Sequence, residues 1–131
     1  MKLRWSHAVV YVRDLDAMLA FYTEVLGFEK KRDLPVGGPY RWITVVSPEG
    51  PNDLELALEP NANPAGKTFQ TALFEQGIPA TAFESSDIAA EYEKLSARGV
   101  AFTMPPTKAG PTTIAVFSDT CGNLIQIYQA P

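Results

Sequence analysis

The sequence predicts an α+β chain built from two tandem βαβββ modules, and three observations predict it. First, landmarks recur at nearly constant spacing. His7 and Ala80 lie 73 residues apart, Asp14 and Asp87 also 73, Gly27 and Gly99 72, and Glu55 and Gln126 71. Second, each copy runs through the same order: a β-rich segment, an Asp, an apolar stripe at helical period, a Gly, then three further β-rich segments. Third, the 131 residues are 46% hydrophobic and 20% charged, with 11 Pro and 9 Gly. That is the composition of one ordinary folded domain made of short, frequently interrupted elements.

The elements follow in order. His7–Val12 is rich in β-branched and aromatic residues and reads as a strand. Asp14 is placed to cap a helix over Asp14–Leu26, whose stripe is Leu15, Met18, Leu19, Tyr22, Val25 and Leu26. Gly27 stands where a helix-ending glycine belongs. Strands are expected at Phe28–Leu34, Tyr40–Val46 and Leu54–Leu58, punctuated by Pro35, Gly37-Gly38-Pro39 and Pro48-Glu49-Gly50-Pro51. In the second copy Asp87 caps a helix striped by Ile88, Tyr92 and Leu95 and ended by Gly99. Strands are then expected near Val100–Met104, Thr113–Phe117 and Leu124–Tyr128, the last two joined by the turn Asp119-Thr120-Cys121-Gly122-Asn123.

The modules span about 1–58 and 80–131, joined by a linker over 59–79. Asn61-Ala62-Asn63-Pro64 reads as loop, and Thr68 as the cap of a short helix Phe69–Gln76 ended by Gly77. The apolar Phe69, Ala72, Leu73 and Phe74 predict that this helix docks on something.

Charge and composition exclude several function classes. Lys+Arg number 11 against 15 Asp+Glu, a net charge of −4, and no basic run exceeds Lys30-Lys31-Arg32. Neither nucleic acid nor a membrane is an expected partner. No stretch is apolar enough to span a bilayer, and the opening residues lack the layout of a signal peptide. One cysteine, Cys121, cannot form an internal disulfide, and the expected setting is a reducing cytoplasm. A single histidine, His7, must serve any His-dependent chemistry.

Three motifs carry a family resemblance. They are His-x-x-x-x-Val-x-Asp-Leu before the first helix, Phe-Tyr-x-x-x-Leu-Gly-Phe at its end, and Asp-x-x-Gly-Asn-x-Ile-x-Ile-Tyr at the C-terminal end. With the two-module layout they resemble the vicinal oxygen chelate superfamily, which holds glyoxalase I, bleomycin-resistance proteins and extradiol dioxygenases. The resemblance covers nearly the whole chain. It implies a cupped, open, barrel-like sheet of eight strands with helices outside, a homodimer, a small organic molecule as partner, and metal ligands on the first and last strand of each module. Those positions fall on His7 and Glu55 in module one and on Ala80 and Gln126 in module two. Alanine cannot ligate, and a neutral amide competes poorly with carboxylate for a divalent ion. The resemblance therefore implies a divalent metal (Zn, Ni, Mn, Co or Fe) held weakly or not at all by His7, Glu55 and Gln126.

Strand alternation then sorts the side chains. If Glu55 faces the cup, Asp53 and Ala57 join it, and Leu54, Leu56 and Leu58 face the helix. If Gln126 faces the cup, Tyr128 joins it, and Ile125 and Ile127 face the helix. His7 brings Tyr11 to the cup. The expected substrate pocket is lined by Tyr11, Asp53, Ala80, Gln126 and Tyr128. Two functions stay open. One is a metal-dependent lyase or isomerase of the lactoylglutathione lyase type, in which Glu55 moves a proton. The other is a metal-free protein that sequesters a small molecule or antibiotic. A two-His dioxygenase is excluded, because one His cannot supply its ligands. Cys121 reads as a small turn residue without chemistry.

Overall fold

A computed structural model describes residues 2–131. The chain divides into two compact units, Met1–Asn61 and Ala62–Pro131. Each carries one four-stranded open sheet, and three α-helices accompany the eight strands among the described residues.

In the first unit, β1 (His7–Val12), β2 (Glu29–Pro35), β3 (Arg41–Val46) and β4 (Glu55–Pro60) lie in the order β1-β4-β3-β2. β1 runs parallel to β4 and the other pairs are antiparallel. The register sets Val10 beside Leu58, Ile43 beside Leu58 and Val45 beside Leu56, so these side chains share one face. All are buried, with Met18 and Tyr22 of the helical segment that packs on β4. Each such fully buried side chain contributes about 1.5–3 kcal/mol.

The helix begins as its sequence predicts. The Asp14 carboxylate accepts the Ala17 N–H at 3.0 Å. It does not continue as one α-helix to Leu26. Helix α1 covers Leu15–Ala20, and Phe21–Val25 widens into a π-helical turn. The Thr23 hydroxyl donates to the Leu19 carbonyl at 2.8 Å and so competes with the helical ladder. The Leu26 N–H reaches back five residues to the Phe21 carbonyl. Gly27 then takes a left-handed φ of 81° and ends the segment. Arg41 on β3 donates to Asp33 through Nε and Nη2 and to Asp16 through Nη1, pinning α1 to the sheet. These bonds hold the Asp33 carboxyl below its usual range and push the Arg41 guanidinium further up.

The second unit repeats the plan with β5 (Thr81–Glu84), β6 (Phe102–Ala109), β7 (Thr112–Ser118) and β8 (Leu124–Gln129) in the order β5-β8-β7-β6. Ala115, Phe117, Ile125 and Ile127 are buried, as are Ile88 and Leu95 of the helix Ile88–Ala97. Tyr92 stands edge-on to Phe102, with ring centroids 4.7 Å apart. Asp87 caps this helix through the Ala90 N–H at 3.1 Å, as expected. Strand β6 outruns its expected end at Met104 and passes through Pro105 and Pro106. Register shifts fall on both sides of Met104, and the one between Met104 and Thr107 spans the two prolines, which cannot donate to a ladder.

The linker helix also differs from expectation. Helix α2 runs Pro64–Glu75, and the helix Ile88–Ala97 is therefore α3. Its cap is Asn63, which accepts the Ala65 N–H at 2.9 Å, and Pro64 fills the first helical position, where its missing N–H costs nothing. Gly66 and Gln70 are its buried residues, whereas Phe69 is 56% exposed and Phe74 is exposed as well. The helix docks by a small residue and an amide one turn apart, not by its aromatics.

Candidate functional site

Strand alternation leaves one face of each sheet uncovered by its helix. In the first unit that face carries His7, Val9 and Tyr11 of β1, Glu55 and Ala57 of β4, Trp42 and Thr44 of β3, and Arg32 and Leu34 of β2. His7 lies directly opposite Glu55 across the parallel β1–β4 pair. The two residues expected to cooperate are thus neighbours. His7 is exposed, its Nδ1 is 3.1 Å from the Ser6 hydroxyl, and its ring stands edge-on to Trp42 with centroids 5.3 Å apart.

Glu55 is not free beside it. Its Oε1 accepts from the Thr44 hydroxyl at 2.7 Å and from Arg32 Nε at 2.9 Å, while Lys31 Nζ lies 3.7 Å from Oε2. The carboxylate is only 12% exposed. The Thr44 hydroxyl, then Arg32 and Lys31, hold its carboxyl below the usual carboxylate range, against the opposing effect of burial. Sequence reasoning missed these three partners. The signal for the cations is the Lys30-Lys31-Arg32 run together with a bulge that only the structure shows. The β2–β3 register shifts between Lys30 and Arg32, leaving Lys31 as the extra residue. Regular alternation would send Lys31 and Arg32 to opposite faces; the bulge lets both reach Glu55.

Catalytic zinc sites commonly use three protein ligands and structural ones four. Among the described residues, no group of three or more His, Cys, Asp or Glu side chains stands together. An ion beside His7 would have to displace Arg32 and Lys31 from the one carboxylate opposite it. In this arrangement the residues of the face do not fit a resident divalent ion.

The other expected site residues are placed as follows. Tyr11 is half-buried on the open face of β1. Asp53 precedes β4, is exposed, and pairs with Arg4 at 3.5 Å. Leu54, expected against the helix, is exposed for the same reason: it lies ahead of the strand. In the second unit Gln126 and Tyr128 are half-buried on the open face of β8, and Ile125 and Ile127 are buried on the other. Ala80 precedes β5, its N–H bonded to the Leu124 carbonyl, and the residue opposite Gln126 is Ala82.

The Asp119–Asn123 turn is held from inside. The Asp119 Oδ1 accepts the N–H groups of Cys121 and Asn123 at 2.8 and 3.0 Å, and Oδ2 accepts the Asn123 amide. Gln70 of α2, 5% exposed, donates to the Cys121 carbonyl at 3.0 Å and to Asn123 Oδ1 at 3.3 Å. Gly122 has a φ of 100°, and a Cβ there would lie 2.7 Å from the Gln70 amide nitrogen. Cys121 is buried within this turn and forms no disulfide.

Comparison with known proteins agrees with this architecture. Residues 4–127 match the Glyoxalase family, described as the Glyoxalase/Bleomycin resistance protein/Dioxygenase superfamily. YurT of Bacillus subtilis (strain 168) is 56% identical over 92% of this chain and 94% of its own length. The crystal structure of UcmS2 superposes with a TM-score of 0.83 at 33% identity, covering 98% of each chain. That of TnmS3, an antibiotic binding protein from Streptomyces sp. CB03234, gives 0.77 at 26% identity, covering 99% of this chain and 98% of that one. A more distant relative is a probable chloroplastic lactoylglutathione lyase of Arabidopsis thaliana, 28% identical over 98% of this chain and 36% of that protein.

Proposed function

We propose that this chain, which belongs to the Glyoxalase/Bleomycin resistance protein/Dioxygenase superfamily, binds a small organic molecule without a resident metal and does not turn it over. The observation that carries this reading is the state of Glu55. A glyoxalase-type isomerisation moves a proton between adjacent carbons and needs a base poised near the working pH. Glu55 is bonded to Thr44 and Arg32 and held at a lower pKa than an ordinary carboxylate, which makes it a weak base. Gln126, at the matching place in the second unit, has an amide that does not titrate. The face around His7 and Trp42 offers aromatic and apolar contact, with Val9 and Leu34 exposed on it beside a cluster of polar groups, which suits recognition of an organic ligand. The antibiotic-binding relative supports the same reading.

A lactoylglutathione-lyase-like activity is the second reading, supported by the plant relative. One experiment separates the two. Thermal stability is measured with a panel of aromatic and antibiotic-like molecules in excess EDTA, and turnover of a glutathione hemithioacetal is measured with added Ni²⁺ or Zn²⁺. Binding without metal predicts stabilisation of about 2.7 kcal/mol at a hundredfold excess over Kd, reduced by Trp42→Ala, and no turnover. Metal-dependent turnover abolished by Glu55→Gln would establish the lyase. The working assembly in this reading is a cytoplasmic homodimer, checked by light scattering at micromolar concentration.

A further inference from the structure

The carboxylate that stands opposite the chain's one histidine already has cations on it, and they come from the chain itself. Arg32 Nε lies 2.9 Å from Oε1 and Lys31 Nζ 3.7 Å from Oε2, with the Thr44 hydroxyl 2.7 Å from Oε1. Each oxygen of Glu55 therefore has a cation near it, Arg32 by a hydrogen bond and Lys31 by charge alone, its ammonium being held in place by the Asn52 carbonyl at 2.6 Å. Lys31 and Arg32 are adjacent in sequence, and only the β2 bulge between Lys30 and Arg32 lets them converge. His7 sits across the parallel pair from Glu55, at the distance of directly neighbouring strands.

We propose that Lys31 and Arg32 form a built-in cationic lock on Glu55, supplying the positive charge that a divalent ion would otherwise bring, so that His7 and Glu55 make a latent metal site which opens when the lock is removed. A metal ion competes with this lock in two ways. It must break charge-assisted hydrogen bonds already made to a largely buried carboxylate. It must also sit within a few ångströms of two positive charges, whose repulsion solvent screens only in part. Removing the two charges leaves the carboxylate oxygens and the imidazole as adjacent donors, enough for a modest, pH-dependent site completed by water. The inference shares the metal-free premise of the proposed function. One tightly held Co²⁺ per parent chain would overturn both, whereas no gain on removing the two cations, or a gain that survives His7→Ala, would overturn the lock alone and leave ligand binding standing.

The test uses Co²⁺ as the probe, because an imidazole-ligated ion is visible in its d–d absorption. Isothermal titration and absorption spectra are recorded at pH 7.5 for four proteins: the parent chain, Lys31→Met with Arg32→Met, that double variant with His7→Ala, and that double variant with Glu55→Gln. The lock predicts no stoichiometric site in the parent. It predicts a gain of roughly tenfold or more in the double variant, with a new d–d band, and loss of both gain and band in each triple variant. Lys31→Gln with Arg32→Gln keeps the side chains polar and gives the same comparison if the methionine variant does not fold. Three results overturn the proposal. They are one tightly held Co²⁺ per parent chain lost on His7→Ala, no gain on removing the two cations, or a gain that survives His7→Ala.

Discussion

Replacing Gln70 with alanine removes the link between α2 and the turn before β8, and its cost follows from the bonds the amide makes. Gln70 is buried and donates to two acceptors, the Cys121 carbonyl at 3.0 Å and Asn123 Oδ1 at 3.3 Å. Each net hydrogen bond is worth about 1 kcal/mol, and a buried acceptor left without its donor costs a further 1–3 kcal/mol, roughly. Water entering the space left behind would recover part of this. The expected loss is about 3 kcal/mol. With a urea m-value of about 2 kcal/mol/M, the unfolding midpoint falls by about 1.5 M. The melting temperature falls by about 10 °C for a chain of this size. Gln70→Glu is the sharper variant. An ionised carboxylate only accepts, so at neutral pH it faces two acceptors and should cost more than alanine. Its pKa is then raised in the folded state, so the deficit shrinks as the pH falls. Urea unfolding at pH 7 and pH 5 measures both effects. A loss below about 0.5 kcal/mol for Gln70→Ala, with no pH-dependent difference for Gln70→Glu, would refute the assigned role of the amide.

Gly122→Ala adds a Cβ at a φ of 100° and 2.7 Å from the Gln70 amide nitrogen. Strain and crowding together predict a loss of roughly 2–4 kcal/mol in the same unfolding assay. Glu55 should shape the acid side of the stability curve. Its folded pKa is depressed, so its contribution is complete above the unfolded value near 4.5 and is lost as the pH falls through the folded value. Glu55→Gln is therefore less stable than the parent at pH 7, and the two curves draw together as the pH falls below the unfolded value, as measured by chemical denaturation across pH.

What the sequence made legible follows from local rules. Asp14 and Asp87 cap their helices because a short carboxylate reaches the third N–H of the following turn, and that needs no knowledge of the rest of the chain. The Leu56-Leu58 and Ile125-Ile127 pairs declare a helix-covered face by period alone. What stayed hidden depends on partners distant in sequence or on a break in the period. Thr23 looks like any polar helix residue until its hydroxyl takes the Leu19 carbonyl. Asn63-Pro64 looks like loop, although it is also a cap followed by the residue best suited to the first helical position. Gln70 gives no sign of burial, because its acceptors lie 51 and 53 residues away. The candidate site shows the same division. That His7 and Glu55 belong together was implied by the family resemblance, whereas the cations on Glu55 depend on the β2 bulge, which leaves no pattern in the letters.

The repeat itself carries a slip that offsets alone could not place. Matching on helix caps sets His7 against Ala80, and matching on last strands sets Glu55 against Gln126. The first unit pairs His7 with Glu55 directly, but the second pairs Ala82, not Ala80, with Gln126. The slip is of two residues, and because side chains alternate with period two, both alanines point to the same face. Alternation and residue type therefore do not distinguish them; the position along the strand does. That position decides whether two side chains can share a ligand. Directly opposite residues have Cβ atoms about 5 Å apart and diagonal ones about 7–8 Å. Ala82→His with Gln126→Glu should therefore build a His–carboxylate pair on directly opposite positions, as His7 and Glu55 are. Ala80→His with Gln126→Glu should place the same groups on a diagonal. Both are compared in a background carrying His7→Ala, so that any Co²⁺ site reports the second unit alone. The expected result is a d–d band and an affinity roughly tenfold or more higher for the Ala82 variant. Equal affinities for the two variants would refute the β5–β8 register as the feature that decides which residues of this module can act together.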